Sequence, residues 1–121
     1  IAVSPDMPLG HLVNVISKSH SSFIPVLDNA GTLQGEVDIT KIRHIMFRTE
    51  LYTKFCVRQI MTPVPAHVGI NDRMADVMKK FEIKNTNYLP VVDINNRLLG
   101  YISRTRVFSL YRKMVEDLSD E

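Results

Sequence analysis

Residues 23–42 read FIPVLDNAGTLQGEVDITKI, and residues 88–107 read YLPVVDINNRLLGYISRTRV. Laid over each other without a gap, at an offset of 65, they share six of twenty positions: Pro25/Pro90, Val26/Val91, Asp28/Asp93, Leu33/Leu98, Gly35/Gly100 and Thr40/Thr105. Average residue usage would give roughly one. Five of the other fourteen positions exchange one apolar residue for another, so a structural unit is written twice. Each copy opens with a short apolar run, FIPVL or YLPVV. A turn sequence, Asp28-Asn29-Ala30-Gly31 or Asp93-Ile94-Asn95-Asn96, then returns the chain into a second strand. Proline inside the first strand lacks an amide donor and predicts an edge or strand-end position.

The same offset extends upstream. Leu9, Leu12, Val13 and Ile16 fall onto Met74, Val77, Met78 and Phe81, each set spaced as one face of an amphipathic helix. Asp6 and Asn71 precede these helices as candidate N-caps. Downstream, Ile42, Ile45 and Met46 match Val107, Leu110 and Tyr111, again at helical spacing. The repeat is therefore helix, strand, strand, helix, an α+β class. Each repeat has too few strands to hide its own sheet face, so the two are expected to pack around a pseudo-twofold axis with a cleft between them. After a mostly polar and basic stretch at residues 48–58, VRQIMTP (57–63) and Pro65 should hold the chain extended into a strand at Ala66-His67-Val68. Nothing before Ile1 matches VRQIMTP, so the first repeat is expected to be truncated at its N-terminus. The expected organisation is a first repeat at 1–47, a linker at 48–56, a second repeat at 57–115 and an acidic tail at 116–121.

With 121 residues, 45% hydrophobic and 23% charged, the chain has an ordinary globular composition and is too short for a large multidomain enzyme. No apolar run approaches the roughly 18 residues that would cross a bilayer, so a soluble piece is expected. The single cysteine, Cys56, has no partner for a disulfide or a CxxC site, which points to a reducing, cytosolic compartment. The net charge of +2 becomes +6 once the closing Glu116, Asp117, Asp120 and Glu121 are set aside. That balance favours a small anionic ligand or anionic partner.

No catalytic constellation is written in the chain, and it reads as a non-enzyme. His11, His20, His44 and His67 lack metal-binding i, i+4 spacing, no histidine adjoins Cys56, and neither GxSxG nor a glycine-rich phosphate loop occurs. No metal site is expected. Asp28 and Asp93 sit where a carboxylate bonds back to the turn backbone, and both read as structural. The basic stretch Lys41, Arg43, His44, Arg48, Lys54, Arg58 has few interleaved aromatics and argues against nucleic acid; a solvated or partner-facing surface fits it. The apolar stripes from Leu9 to Ile16 and from Met74 to Phe81 look broader than a small lobe can cover, which predicts a homodimer.

A repeat that joins VRQIMTP, an amphipathic helix and LPVVDxxxxLxGxIS running into a helix resembles the cystathionine-β-synthase (CBS) domain, and two in tandem resemble a Bateman module. The resemblance covers nearly the whole chain and implies a regulatory module that associates face to face and holds an adenosine-containing ligand in the cleft. A finer resemblance, carried by TELYTKFCVRQIMTP, MADVMKKFEIKNTNYLPVVD and LLGYISRTRVFSLYRKMVEDLSDE, is to the C-terminal cytoplasmic part of bacterial CLC-type chloride channels and transporters. It implies a transmembrane partner domain, a place on the cytoplasmic side of the membrane and a role in gating. A structural dimerisation module with an empty cleft, or the regulatory pair of another transporter or enzyme, are the alternatives.

In that family the corner G-h-h-(S/T)-x-x-D binds the ligand, its hydroxyl on phosphate or ribose and its carboxylate on the ribose hydroxyls. The resemblance thus selects Asp38, Thr40 and Lys41 in one repeat and Ser103, Thr105 and Arg106 in the other. Lys41 and Arg106 stand where the carboxylate belongs, and a cation accepts no hydrogen bond from a diol. This argues against ordinary adenine-nucleotide binding. Two readings remain for the second corner: an anion site at a helix N-terminus, or an N-capping Ser103 beside solvated charges. The pocket walls implied are Ala66, Val68, Tyr88, Pro90 and Ile102, with His67 at the rim.

Overall fold

The repeat folds twice, once in each of two units, Ile1–Val64 and Pro65–Glu121; the computed structural model describes residues 1–119. The first unit contains α1 (Leu9–Ser17), β1 (Phe23–Leu27), β2 (Leu33–Asp38), α2 (Ile39–Met46), a single 3-10 turn at Thr49–Leu51, and the short α3 (Val57–Ile60). β1 and β2 pair antiparallel from Phe23↔Asp38 to Leu27↔Leu33, with a bulge between Val26 and Leu27. The turn is held by Asp28, whose Oδ1 accepts from the amides of Ala30 and Thr32 at 2.9 Å each. Gly31 takes φ +82 there, a conformation that glycine adopts without penalty. The apolar face of α1 supplies Leu9, Leu12 and Ile16 to a core shared with Val3, Ile24, Val26, Val37, Ile42 and Val57.

In the second unit β3 (Val68–Gly69), α4 (Met74–Lys84), β4 (Tyr88–Val92), β5 (Leu98–Ser103) and α5 (Arg104–Ser119) follow. The β4–β5 register runs from Tyr88↔Ser103 to Val92↔Leu98 with a bulge at Val91/Val92, every pair 65 residues on from its counterpart. Asp93 closes this turn as Asp28 does the other, accepting from Asn95 at 2.8 Å and Arg97 at 2.9 Å. Asn96 takes Gly31's left-handed place at φ +62, and asparagine tolerates that region better than most residues. Val68, Val77, Phe81, Leu89 and Val107 form the core. α4 stops at Asn85, again left-handed at φ +48.

Four expectations are corrected. β4 is a central strand, between β3 and β5, and β1 likewise has Val3 bridged in parallel on its far side. Pro25 is tolerated because its carbonyl, which accepts from Val3 N at 3.0 Å, shares a side with its nitrogen. On that side the partner strand is a single bridge, so the missing donor breaks no ladder. Asp6 and Asn71 cap neither helix: Pro8 and Arg73 hold the N-cap positions without side-chain bonds. The first-turn amides of Leu9 and Gly10 go instead to the carbonyls of Phe55 (2.8 Å) and Tyr52 (3.2 Å), and Asp6 pairs with Arg58 at 2.6 Å. Residues 48–56 thus clamp α1, with Tyr52 Oη donating to the carbonyl of Met46 at 2.6 Å. The strand expected at Ala66-His67-Val68 holds only Val68, with Gly69. In the acidic tail, Glu116 and Asp117 continue α5; Asp120 and Glu121 lie outside the described residues.

Packing unit and sequence repeat also part company. Val57, which opens the second repeat in sequence, is fully buried in the first unit's core. Thr62 exchanges backbone hydrogen bonds with Glu36, at 2.9 Å and 2.8 Å, along the outer edge of β2.

Candidate functional site

At both corners the second strand of the hairpin runs directly into a helix, and the first helical amide is tied to the loop before the hairpin: Ile39 N to Ser22 O at 3.0 Å, Arg104 N to Asn87 O at 2.8 Å. The side chains then diverge. In the first unit Asp38 caps α2, accepting from Thr40 N at 3.0 Å and Thr40 Oγ1 at 2.6 Å. The half-buried Glu36 stands in the same corner. Burial, and then the Asp38 charge, push its carboxyl above the usual carboxylate range, with Lys41 partly offsetting them. Two carboxylates beside one exposed lysine make this corner a poor host for an anion.

Among the described residues lining the second corner there is no carboxylate. Ser103 Oγ accepts from the amide of Arg106 at 3.2 Å, which is the N-cap bond. Its hydroxyl hydrogen is still available to donate. Arg104 lies over the Phe108 ring at 5.5 Å. The exposed Arg106 instead lines an open depression of about 410 Å³ with Ser103, Thr105, Ser109 and Leu110. A guanidinium and three hydroxyls at the N-terminal turns of a sixteen-residue helix are donors suited to a phosphate or carboxylate.

The structure thus groups Ser103, Thr105 and Arg106, and places Asp38, Thr40 and Lys41 in the other unit. Ser109 and Leu110 were missed by the sequence reading, although each lies four residues beyond Thr105 or Arg106, on the same helical face. The expected wall residues serve the core: Val68 and Pro90 are buried, and Ala66 and Ile102 pack against the same cluster. Tyr88 is half exposed. The carbonyl of His67 accepts from Lys80 Nζ at 2.8 Å. The same ammonium pairs with Asp72 at 2.9 Å and, with the amide of Gly69, holds that carboxyl below its usual range. Met74 and Met78 pack on their own unit's core, as Val13 does on the other, so the α1 and α4 stripes are largely spent internally. An exposed apolar stripe lies instead on α5, at Leu110, Met114 and Leu118. Among the described residues no helix is long and apolar enough to cross a membrane.

Comparison with known proteins accounts for this doubled architecture. A curated relative, the inosine-5'-monophosphate dehydrogenase of Methanocaldococcus jannaschii, is 28% identical over 103 residues; these are 85% of the chain but only 20% of that enzyme. Among solved structures, Staphylococcus aureus OpuCA superposes with a TM-score of 0.74 at 24% identity, covering 94% of this chain and 93% of that one. CBSX2, solved in complex with AMP, superposes with a TM-score of 0.71 at 21% identity, covering 94% and 88%. The CBS domain family model matches residues 1–48 and again 57–113, and with the hairpin-to-helix unit formed twice at one offset, the chain belongs to the CBS domain family as a tandem pair.

Proposed function

We propose that this CBS pair is a regulatory, non-catalytic module that receives an anionic ligand, an adenine nucleotide held by its phosphates, at the second-unit corner. The observation that carries the reading is the set of donors around the depression, Arg106 with Ser103, Thr105 and Ser109, and no carboxylate among its lining residues. The AMP held by the structurally similar CBSX2 supports the ligand class. Arg106 in place of a ribose-binding carboxylate supports anchoring through phosphate. The parent we propose is a chloride channel or transporter, with the module on the cytoplasmic side, coupling ligand occupancy or dimer geometry to gating. The TELYTKFCVRQIMTP and SLYRKM stretches support it.

A thermal-shift series with adenosine, AMP, ADP and ATP at about 1 mM tests the ligand. A ligand at 100 times its Kd adds about 2.7 kcal/mol, or several degrees at roughly 2–8 °C per kcal/mol. ATP should shift the melting temperature and adenosine should not. Arg106→Ala should abolish the shift and Arg112→Ala preserve it. Equal shifts by adenosine and ATP would sink the phosphate anchor. No shift with any of the four would favour a structural dimerisation module whose Asp38 and Ser103 serve only as helix caps.

A further inference from the structure

The helices that close the two repeats start alike and end differently. α2 stops at Met46, whereas α5 runs eight residues beyond the equivalent Tyr111, to Ser119. Only Val107 is buried in α5, and every position from Arg112 to Ser119 is exposed. Two bare turns gain little from their own hydrogen bonds, because helical stability in water comes chiefly from packing an apolar face. Met114, Val115 and Leu118 supply such a face, continuing from Leu110, and the described residues leave it uncovered.

The charges of α5 point to what covers it. Residues 104–113 hold Arg104, Arg106, Arg112 and Lys113 and no carboxylate; residues 114–119 hold Glu116 and Asp117 and no base. That order runs against the helix macrodipole, which favours acids in the first turn and bases in the last. Among the described residues Arg106, Glu116 and Asp117 enter no ion pair. An antiparallel copy of the same helix answers both points: it sets an acidic end beside a basic one twice over, and it opposes the two dipoles. An anionic lipid surface would meet Glu116 and Asp117 beside the apolar stripe and be repelled.

We propose that α5 pairs antiparallel with α5 of a second copy, Leu110 and Met114 at the centre, so that the partner's Asp117 reaches Arg106 at the depression. Arg106, Leu110, Met114 and Asp117 are spaced i, i+4, i+8, i+11 and share one helical face. Leu110 is both a wall of the depression and part of the exposed stripe. With Leu110 opposite the partner's Met114, Arg106 falls within one residue of the partner's Asp117. The second copy thus contributes a carboxylate to the depression, and an anion bound there must displace it. That competition rests on the anionic-ligand reading above; the pairing rests on α5 alone.

The test is charge reversal, read by light scattering on the whole chain at high micromolar concentration with no nucleotide present. The unmodified chain should show twice the chain mass. Arg106→Glu and Asp117→Arg should each weaken association at least about tenfold, since every dimer would then hold two like-charged contacts in place of two opposite ones. Each reversal brings its charge into line with the macrodipole, so a lost dimer would not reflect a lost helix. Mixed in equal amounts, the two variants should regain the doubled mass, because both contacts of a mixed antiparallel pair are again opposite in sign. The pairing is overturned if the unmodified chain runs at one chain mass, if either reversal leaves the mass doubled, or if the mixture stays single. ATP at millimolar concentration should drive the unmodified dimer toward one chain mass. A melting temperature raised by ATP with the mass still doubled would overturn the contact between Arg106 and the partner's Asp117. If ATP raises no melting temperature, the nucleotide reading fails by itself and the mixing experiment still decides the pairing.

Discussion

Arg97 is joined to Asp93 twice: its backbone amide donates to Oδ1 at 2.9 Å, and its guanidinium Nε stands 3.3 Å from Oδ2. The amide of Arg97 is the largest influence holding this carboxyl below its ordinary range, and the Asn95 amide and the guanidinium act in the same direction. A depressed folded-state value means the stabilisation is complete above the unfolded value of about 3.9 and is lost as pH falls through the folded one. Asp93→Ala should lower the melting temperature by a few degrees at pH 7. The gap from the parent protein should narrow as pH falls below the ordinary carboxylate range, as thermal melts across pH would show.

Glu36 behaves with the opposite sign. Its folded-state value is raised, first by burial and then by Asp38, so the protonated form suits the fold and the charge costs stability once pH exceeds the folded value. Glu36→Gln should raise the melting temperature at pH 7 and leave it nearly unchanged near pH 4. A loss at pH 7 would show that the charge is compensated by Lys41.

Gly35→Ala forces a methyl to within 2.7 Å of the carbonyl of Thr62 and should cost about 1–3 kcal/mol, the usual range for overpacking. Gly100→Ala meets nothing and should be neutral or stabilising by up to about 1 kcal/mol, since it restricts only the unfolded chain. Urea melts of the two variants would separate them, and equal losses would contradict the asymmetry.

Phe81→Ala empties the largest fully buried side chain of the second unit and should cost about 3–5 kcal/mol. Val57→Ala should speed hydrogen exchange in α1 and β2 rather than in α4 and β4, because its contacts lie in the first unit's core. Exchange resolved by residue decides where the loss falls.

The homodimer expected from the sequence is better referred to α5. Leu110, Met114 and Leu118 are 45%, 51% and 71% exposed along one helical face, and stripes of this kind usually mark contacts. Light scattering should give twice the chain mass at high micromolar concentration. Met114→Glu should lower it toward one, whereas Met78→Glu, inside its own unit, should cost stability first.

The hairpins, their shared register and the helix faces were legible because they depend on local chemistry: alternation into a core, a carboxylate that closes a turn, apolar residues at helical spacing. Asp28 and Asp93 could be assigned from sequence because each bonds within four residues of itself. Asp6 could not, since the carbonyls that serve α1 come from Tyr52 and Phe55, more than forty residues away, and no local pattern encodes that tie. Pro25 misled for a related reason: a missing donor matters only on the side where a partner strand continues. Of the candidate site, Ser103, Thr105 and Arg106 were picked out by the family's corner motif, and the helix start explains why they stand together. Of the apolar walls, Val68 and Pro90 are buried and Ala66 and Ile102 pack on the same core, a placement that sequence does not reveal because an apolar residue reads equally well as pocket lining or core.

The seating of Val57 in the first unit has a consequence for how such a chain could arise. A module that is complete in itself can be copied, lost or transplanted as one stretch of gene. Here the stretch that opens the second copy finishes the body of the first, so a single copy excised at its sequence boundary is an unfinished object, with an open core and an unclaimed leading segment. Inheritance then acts on the pair, and a substitution at Val57 is answerable to the core residues from Val3 to Ile42 in the copy behind it.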